Sequence, residues 1–101
     1  MHYVWITYHQ NEDDDPSEVY LELDGDRIET RRVEFFPNGL SFSYGGERGN
    51  FEALSQTPLP EDLRELNLDG SQEARSISRA FFQEIWNQVQ ERPDGFMGMF
   101  F

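Results

Sequence analysis

The chain contains neither cysteine nor lysine. Without thiols there are no disulfides, no thiolate metal ligands and no cysteine nucleophile. Without lysine amines, Schiff-base chemistry is excluded as well. All eight basic side chains are arginines, set against twenty acidic ones, for a formal net charge of −12. A field of that sign repels phosphate backbones and anionic lipid, which makes nucleic acid and membranes poor partners. Long apolar runs are missing too: nothing approaches the ~20 residues that a membrane-spanning helix needs. The opening stretch "MHYVWITYHQ" has no basic n-region and no continuous apolar core, so it does not read as a signal peptide. The absence of thiols fits a reducing compartment, and a cytoplasmic location is expected.

What is present in quantity is rings: nine Phe, four Tyr and two Trp in 101 residues. Each buried ring removes roughly 150–250 Å² from water, so the aromatics can supply most of one core. That length suits a single domain over 1–101.

His2–Gln10 alternates as a strand, with Val4, Ile6 and Tyr8 on one face and Tyr3, Trp5, Thr7 and His9 on the other. Asn11–Ser17 is polar and carries Pro16, which predicts a loop. Glu18–Asp24 alternates again, with Val19, Leu21 and Leu23 inward and Glu22 and Asp24 outward. Asp24-Gly25-Asp26 and Pro37-Asn38-Gly39 are hairpin signals, because tight turns need positive φ. Between them Val33 and Phe35 share a face, but Ile28 is out of phase, which predicts a bulge near Glu29–Arg31. Leu40, Phe42 and Tyr44 form a fourth strand that ends at Gly45-Gly46. Pro60–Leu66 has the marks of a short helix, Leu68–Arg75 those of a loop. Arg79–Gln90 is the clearest helix, with Ser78 as N-cap, Ile77 as staple and a stripe of Phe82, Ile85, Trp86 and Val89. The expected fold is α+β: an antiparallel sheet of about four strands, an N-terminal strand plus a meander, packed on a C-terminal helix, with a short helix in the connection.

The stretches "EVYLELDGDRIETRRVEFFPNG" and "SISRAFFQEIW" resemble a family of small, mostly bacterial domains of unknown function. Its pattern joins a Trp/Tyr/His-rich first strand, a Glu-Leu-Asp hairpin, an Arg-x-Val-Glu-x-Phe-x-x-Gly strand and an Ile-Ser-x-x-x-Phe-x-x-x-Trp helix. The resemblance implies no catalytic residue; it implies an association with toxin–immunity gene neighbourhoods. The ending "ERPDGFMGMFF" departs from the pattern.

Catalytic and metal motifs do not assemble. His2 and His9 lie seven apart, hence on opposite faces of a strand and roughly 23 Å from each other. The acids after His9 do not fit a calcium loop, since Glu18 stands where glycine is required. Gly39-Leu40-Ser41-Phe42-Ser43 lacks the last glycine of a nucleophile elbow and lies on a hairpin. Gly45-Gly46-Glu47-Arg48-Gly49 has no lysine for a phosphate loop. Glu22, Glu29 and Glu34 are strand carboxylates beside Arg27, Arg31 and Arg32, an arrangement that predicts cross-strand ion pairs. No metal or cofactor is expected.

Two features face outward. Asp13, Asp14 and Asp15, with Glu61, Asp62 and Glu65, form two acidic clusters suited to a basic protein cleft. Phe96, Met97, Met99, Phe100 and Phe101 form an apolar tail within 95–101. That tail either folds over a sheet face the helix leaves open or contacts a partner or a second copy. The expected function is non-catalytic binding of a basic protein, in its most concrete form an immunity-type block of a basic toxin. The alternatives are a small enzyme using the strand carboxylates and a self-associating module held by the tail, with the oligomeric state open.

Overall fold

A computed structural model of the chain describes residues 1–9, 14–68 and 70–91. Five strands and one helix follow in order: β1 (His2–Tyr8), β2 (Glu18–Leu23), β3 (Glu29–Phe35), β4 (Ser41–Gly45), β5 (Gln72–Ser76) and α1 (Arg79–Glu91). Three short 3-10 turns, Gly46–Arg48, Phe51–Ala53 and Leu63–Leu66, lie in the long connection between β4 and β5. The sheet is antiparallel throughout, in the order β4-β3-β2-β1-β5. The α+β architecture expected from the sequence is the one observed, with one strand more.

The additional strand is β5, which lies where the polar composition of Leu68–Arg75 predicts a loop. It pairs with β1, aligning Ala74 with Ile6 and Arg75 with Trp5. Only Ala74 is buried, so half-burial at a sheet edge leaves almost no alternation to detect. His9 N–H donates to Ser71 and Ile77 N–H to Tyr3, so the intervening backbone groups of Ala74 turn outward. The side-chain amide of Asn67 meets them: Ala74 N–H donates to Asn67 Oδ1 at 2.7 Å, and Asn67 Nδ2 donates to the Ala74 carbonyl at 3.4 Å. A side chain thus stands in for a sixth strand at this edge.

Both sheet faces are filled. On one, Tyr3, Tyr20 and Val33 pack against Phe82 and Trp86 of α1. The Ser78 hydroxyl accepts the Phe81 N–H at 3.0 Å and starts the helix, while Ile77 packs on the same cluster. On the other face, Val4, Ile6, Val19, Leu21, Leu23 and Ala74 are covered by Leu59, Leu63 and Leu66 of the connection. This is the face that the tail offered to cover; the tail itself, 95–101, lies outside the described residues.

Turn chemistry agrees at one hairpin and differs at the other. Gly39 has φ 91, as the Asn-Gly signal requires. In the Asp24 turn the positive φ falls on Arg27, at 65, and not on Gly25. Two contacts from far along the chain hold Arg27 there: its guanidinium donates to the carbonyls of Leu59 at 3.0 Å and Pro60 at 2.8 Å. The predicted bulge is present, with Glu22 opposite Arg31 and Leu23 opposite Glu29, leaving Thr30 as the extra residue.

At the end of β4 the backbone leaves no room for a side chain. A Cβ on Gly45 (φ 87) would lie 2.3 Å from the Thr30 carbonyl oxygen. Gly45→Ala combines an unfavourable φ with an overpacked backbone contact, and the expected loss is about 2–4 kcal/mol. Urea denaturation followed by circular dichroism measures it; a variant as stable as the parent would refute the packing described for this corner.

Candidate protein-binding surface

The strand carboxylates are engaged from within. Glu22, expected to face outward, is 7% exposed. Its Oε1 accepts Thr30 Oγ1 at 2.7 Å and Arg31 Nε at 2.9 Å; its Oε2 accepts Arg31 Nη2 at 2.6 Å and the Tyr3 hydroxyl at 3.1 Å. Four donors saturate the lone pairs of a carboxylate. Burial alone would push this group up, but the hydrogen bonds from Arg31 and Thr30, the charge of Arg31 and the Tyr3 hydroxyl hold it below the usual carboxylate range. It is a counter-ion, held ionised, and the opposite of a proton donor.

Arg32 bridges the other two, reaching Glu29 at 3.0 Å and Glu34 at 2.7 Å. These pairs run along β3, and Arg27 joins no carboxylate among the described residues, so of the cross-strand ion pairs expected between these residues only Arg31–Glu22 forms. Glu29 Oε1 also accepts the Ser55 N–H at 3.1 Å, which ties the connection to the sheet. Glu22, Glu29, Thr30, Arg31 and Gly46 line an open cavity of about 530 Å³ at this end of the sheet, with Phe51 and Leu54.

Beyond the carboxylates, the arginines serve the interior. Arg31 lies over the rings of Phe82 (4.9 Å) and Trp86 (4.8 Å), and Arg48 over Trp86 (3.8 Å). Arg48 also donates to the Trp86 carbonyl at 2.9 Å and to the Ser43 hydroxyl. Arg75 stacks on Trp5 at 4.3 Å and donates to Thr7 and Glu73. Nothing in the local pattern marks Arg48 as Trp86's partner, because Gly45-Gly46 bends the chain to bring them together.

The acids have the opposite disposition. Among the described residues Asp14, Asp15, Asp26, Glu47, Glu52, Glu61, Asp62, Glu65, Glu73 and Glu84 are exposed, and the exposed cations are Arg64 and Arg79. Arg64 itself is paired with Asp62 at 2.9 Å. Asp62 also accepts the Arg64 N–H at 3.0 Å and so starts the 3-10 turn. The neighbouring guanidinium holds Asp62 below its usual range.

The two clusters read from the sequence are arranged differently in space. Asp14 and Asp15 are exposed in the β1–β2 loop, and Asp13 lies outside the described residues. Glu65 lines a depression with Ser71 and Gln72, and Ser71 accepts the His9 N–H at 2.9 Å, so Glu65 and that loop flank the same end of the sheet. Glu61 points toward the other end, beside His2 and Arg27. Phe96, Met97, Met99, Phe100 and Phe101 lie outside the described residues. Three or more metal-ligating side chains do not converge among those described, and no described helix is long and apolar enough to cross a membrane.

This sheet, its bulge and its capped helix fall within one family model, which matches residues 2–91. The chain belongs to the family described as domain of unknown function DUF6881. Comparison with curated proteins and with solved structures finds no match. The DUF6881 match ends where α1 ends, at Glu91, so the apolar segment from Gly95 to Phe101 falls outside it.

Proposed function

We propose that this DUF6881 domain is a non-catalytic binding protein that presents an acidic surface to a basic protein, in the manner of an immunity protein that occludes the cleft of a basic toxin. One observation carries the reading. Most described guanidiniums stack on buried rings, bridge buried carboxylates or bind main-chain carbonyls, while ten of the described acids stand exposed. With its cations drawn inward, the surface field is more one-sided than a scattered −12 would make it, and such a field accelerates encounter with a positive cleft.

Affinity capture from lysate of the source cells tests this, using the full chain and a variant with Asp14→Asn, Asp15→Asn, Glu61→Gln and Glu65→Gln. A dominant basic protein is expected on the parent, released as salt rises and reduced on the variant. Retention of no basic protein by the parent would sink the reading.

A further inference from the structure

We propose that the free edge of β4 is the docking site for that partner, and that it accepts an extended basic segment as a sixth strand. Phe36 N–H donates to the Leu40 carbonyl, so Leu40, Phe42 and Tyr44 bond to β3. The backbone groups of Ser41, Ser43 and Gly45 therefore point away from the sheet. Gly45 N–H is satisfied by the Gly49 carbonyl at 2.7 Å. No described residue hydrogen-bonds to the outward groups of Ser41 and Ser43, which lie on a terminal strand. This contrasts with the far edge of the sheet, where Asn67 fills the same kind of position on β5. An unguarded edge, on a sheet whose opposite edge is guarded, is a template for strand addition.

The side chains beside the edge describe the incoming strand. Leu40 (54% exposed) and Phe42 (43%) stand on the face opposite α1, Phe42 edge-on to Phe36 at 5.6 Å. An added strand would lay an apolar side chain against Phe42. Glu47 follows β4 directly and Glu52 sits in the 3-10 turn packed on it, both exposed. The nearby Arg48 is committed to Trp86 and Ser43. The edge thus presents Leu40 and Phe42 on one face and acids beyond its Gly45 end, which suits an extended segment with apolar residues on one face and basic residues that reach Glu47 and Glu52. A second copy fits poorly, because each chain carries a net charge of −12.

This placement rests on the basic-partner reading, and the test separates the two. The probe is a capped peptide alternating Arg and Val. Its controls are the same peptide N-methylated at every residue and an alternating Glu and Val peptide. Amide hydrogen exchange is read by NMR on the full chain. At saturation the Arg peptide is expected to slow exchange at Ser41 and Ser43 by about tenfold or more. The N-methylated peptide, with equal charge and no strand pairing, is expected to leave both amides unchanged.

Ser41→Pro, which removes an outward N–H at the start of β4 and no sheet bond, is expected to abolish the protection at Ser43 while the fold is retained. Equal effects from the Arg peptide and its N-methylated form would overturn the edge site and leave the basic-partner reading standing. Equal protection by the Glu peptide would overturn the basic partner and leave the edge as a strand acceptor. Protection of Ser41 and Ser43 before any peptide is added would assign the edge to another occupant. If it persists on dilution, that occupant is the chain's own segment beyond Glu91; if it is lost, a second copy.

Discussion

Trp86→Ala is expected to cost about 3–5 kcal/mol, a large part of the roughly 5–15 kcal/mol that holds a domain of this size. Trp86 is 1% exposed and stacks on Phe82 at 6.2 Å. Its ring is also the surface on which two guanidiniums lie, Arg31 and Arg48. Removing it empties the centre of the helix–sheet interface and strips both cations of the face that shields them from one another. Urea denaturation by circular dichroism gives the number, and Trp86→Phe is the control that restores most of the volume. A loss under 1 kcal/mol for the alanine variant would show that α1 is not the second half of this core.

Arg31→Ala is the other severe change, and its signature is in pH. Taking away one partner of a buried pair costs about 3–5 kcal/mol, because the remaining charge is stranded. Here the stranded group is Glu22, left with Thr30 and Tyr3 alone. In the parent its folded-state pKa is depressed, so the unfolded chain binds more protons near the ordinary carboxylate pKa and this group's stabilisation is lost as the pH falls. The variant loses the Arg31 hydrogen bonds and charge that hold Glu22 down, while the burial that pushes it up remains, so protonation should relieve the site. The stability gap between parent and variant should therefore narrow as the pH is lowered from 7 through about 4.3. A gap that stayed constant over that range would mean that Arg31 acts only by packing.

The sequence made the local features legible and left the relational ones dark. The faces of β1, the bulge at Thr30, the Ser78 cap and the Phe82–Trp86 stripe depend on residues within a turn or a strand of one another, so periodicity carries them. β5 was hidden because "QEARS" owes its conformation to β1 on one side and Asn67 on the other. Arg27 took the positive φ assigned to glycine because Leu59 and Pro60, more than thirty residues on, receive its guanidinium. Cross-strand pairing of the carboxylates with Arg27, Arg31 and Arg32 was legible as a group, but the burial of Glu22 follows from Tyr3 and the helix above it. The acidic clusters were visible as composition, whereas the separation of Glu61 from Glu65 depends on the path of the connection across the sheet.

Asn67 has a consequence for stoichiometry. A sheet with two receptive edges can add copies at both and grow without limit, as fibres do. Here the central outward groups of β5 are occupied by the protein's own amide, so growth in that direction is terminated. Whatever strand joins at β4 closes the assembly in a single step. A complex built by strand addition at β4 would then be one-to-one with the partner, and Asn67 is what would keep it from extending into a filament.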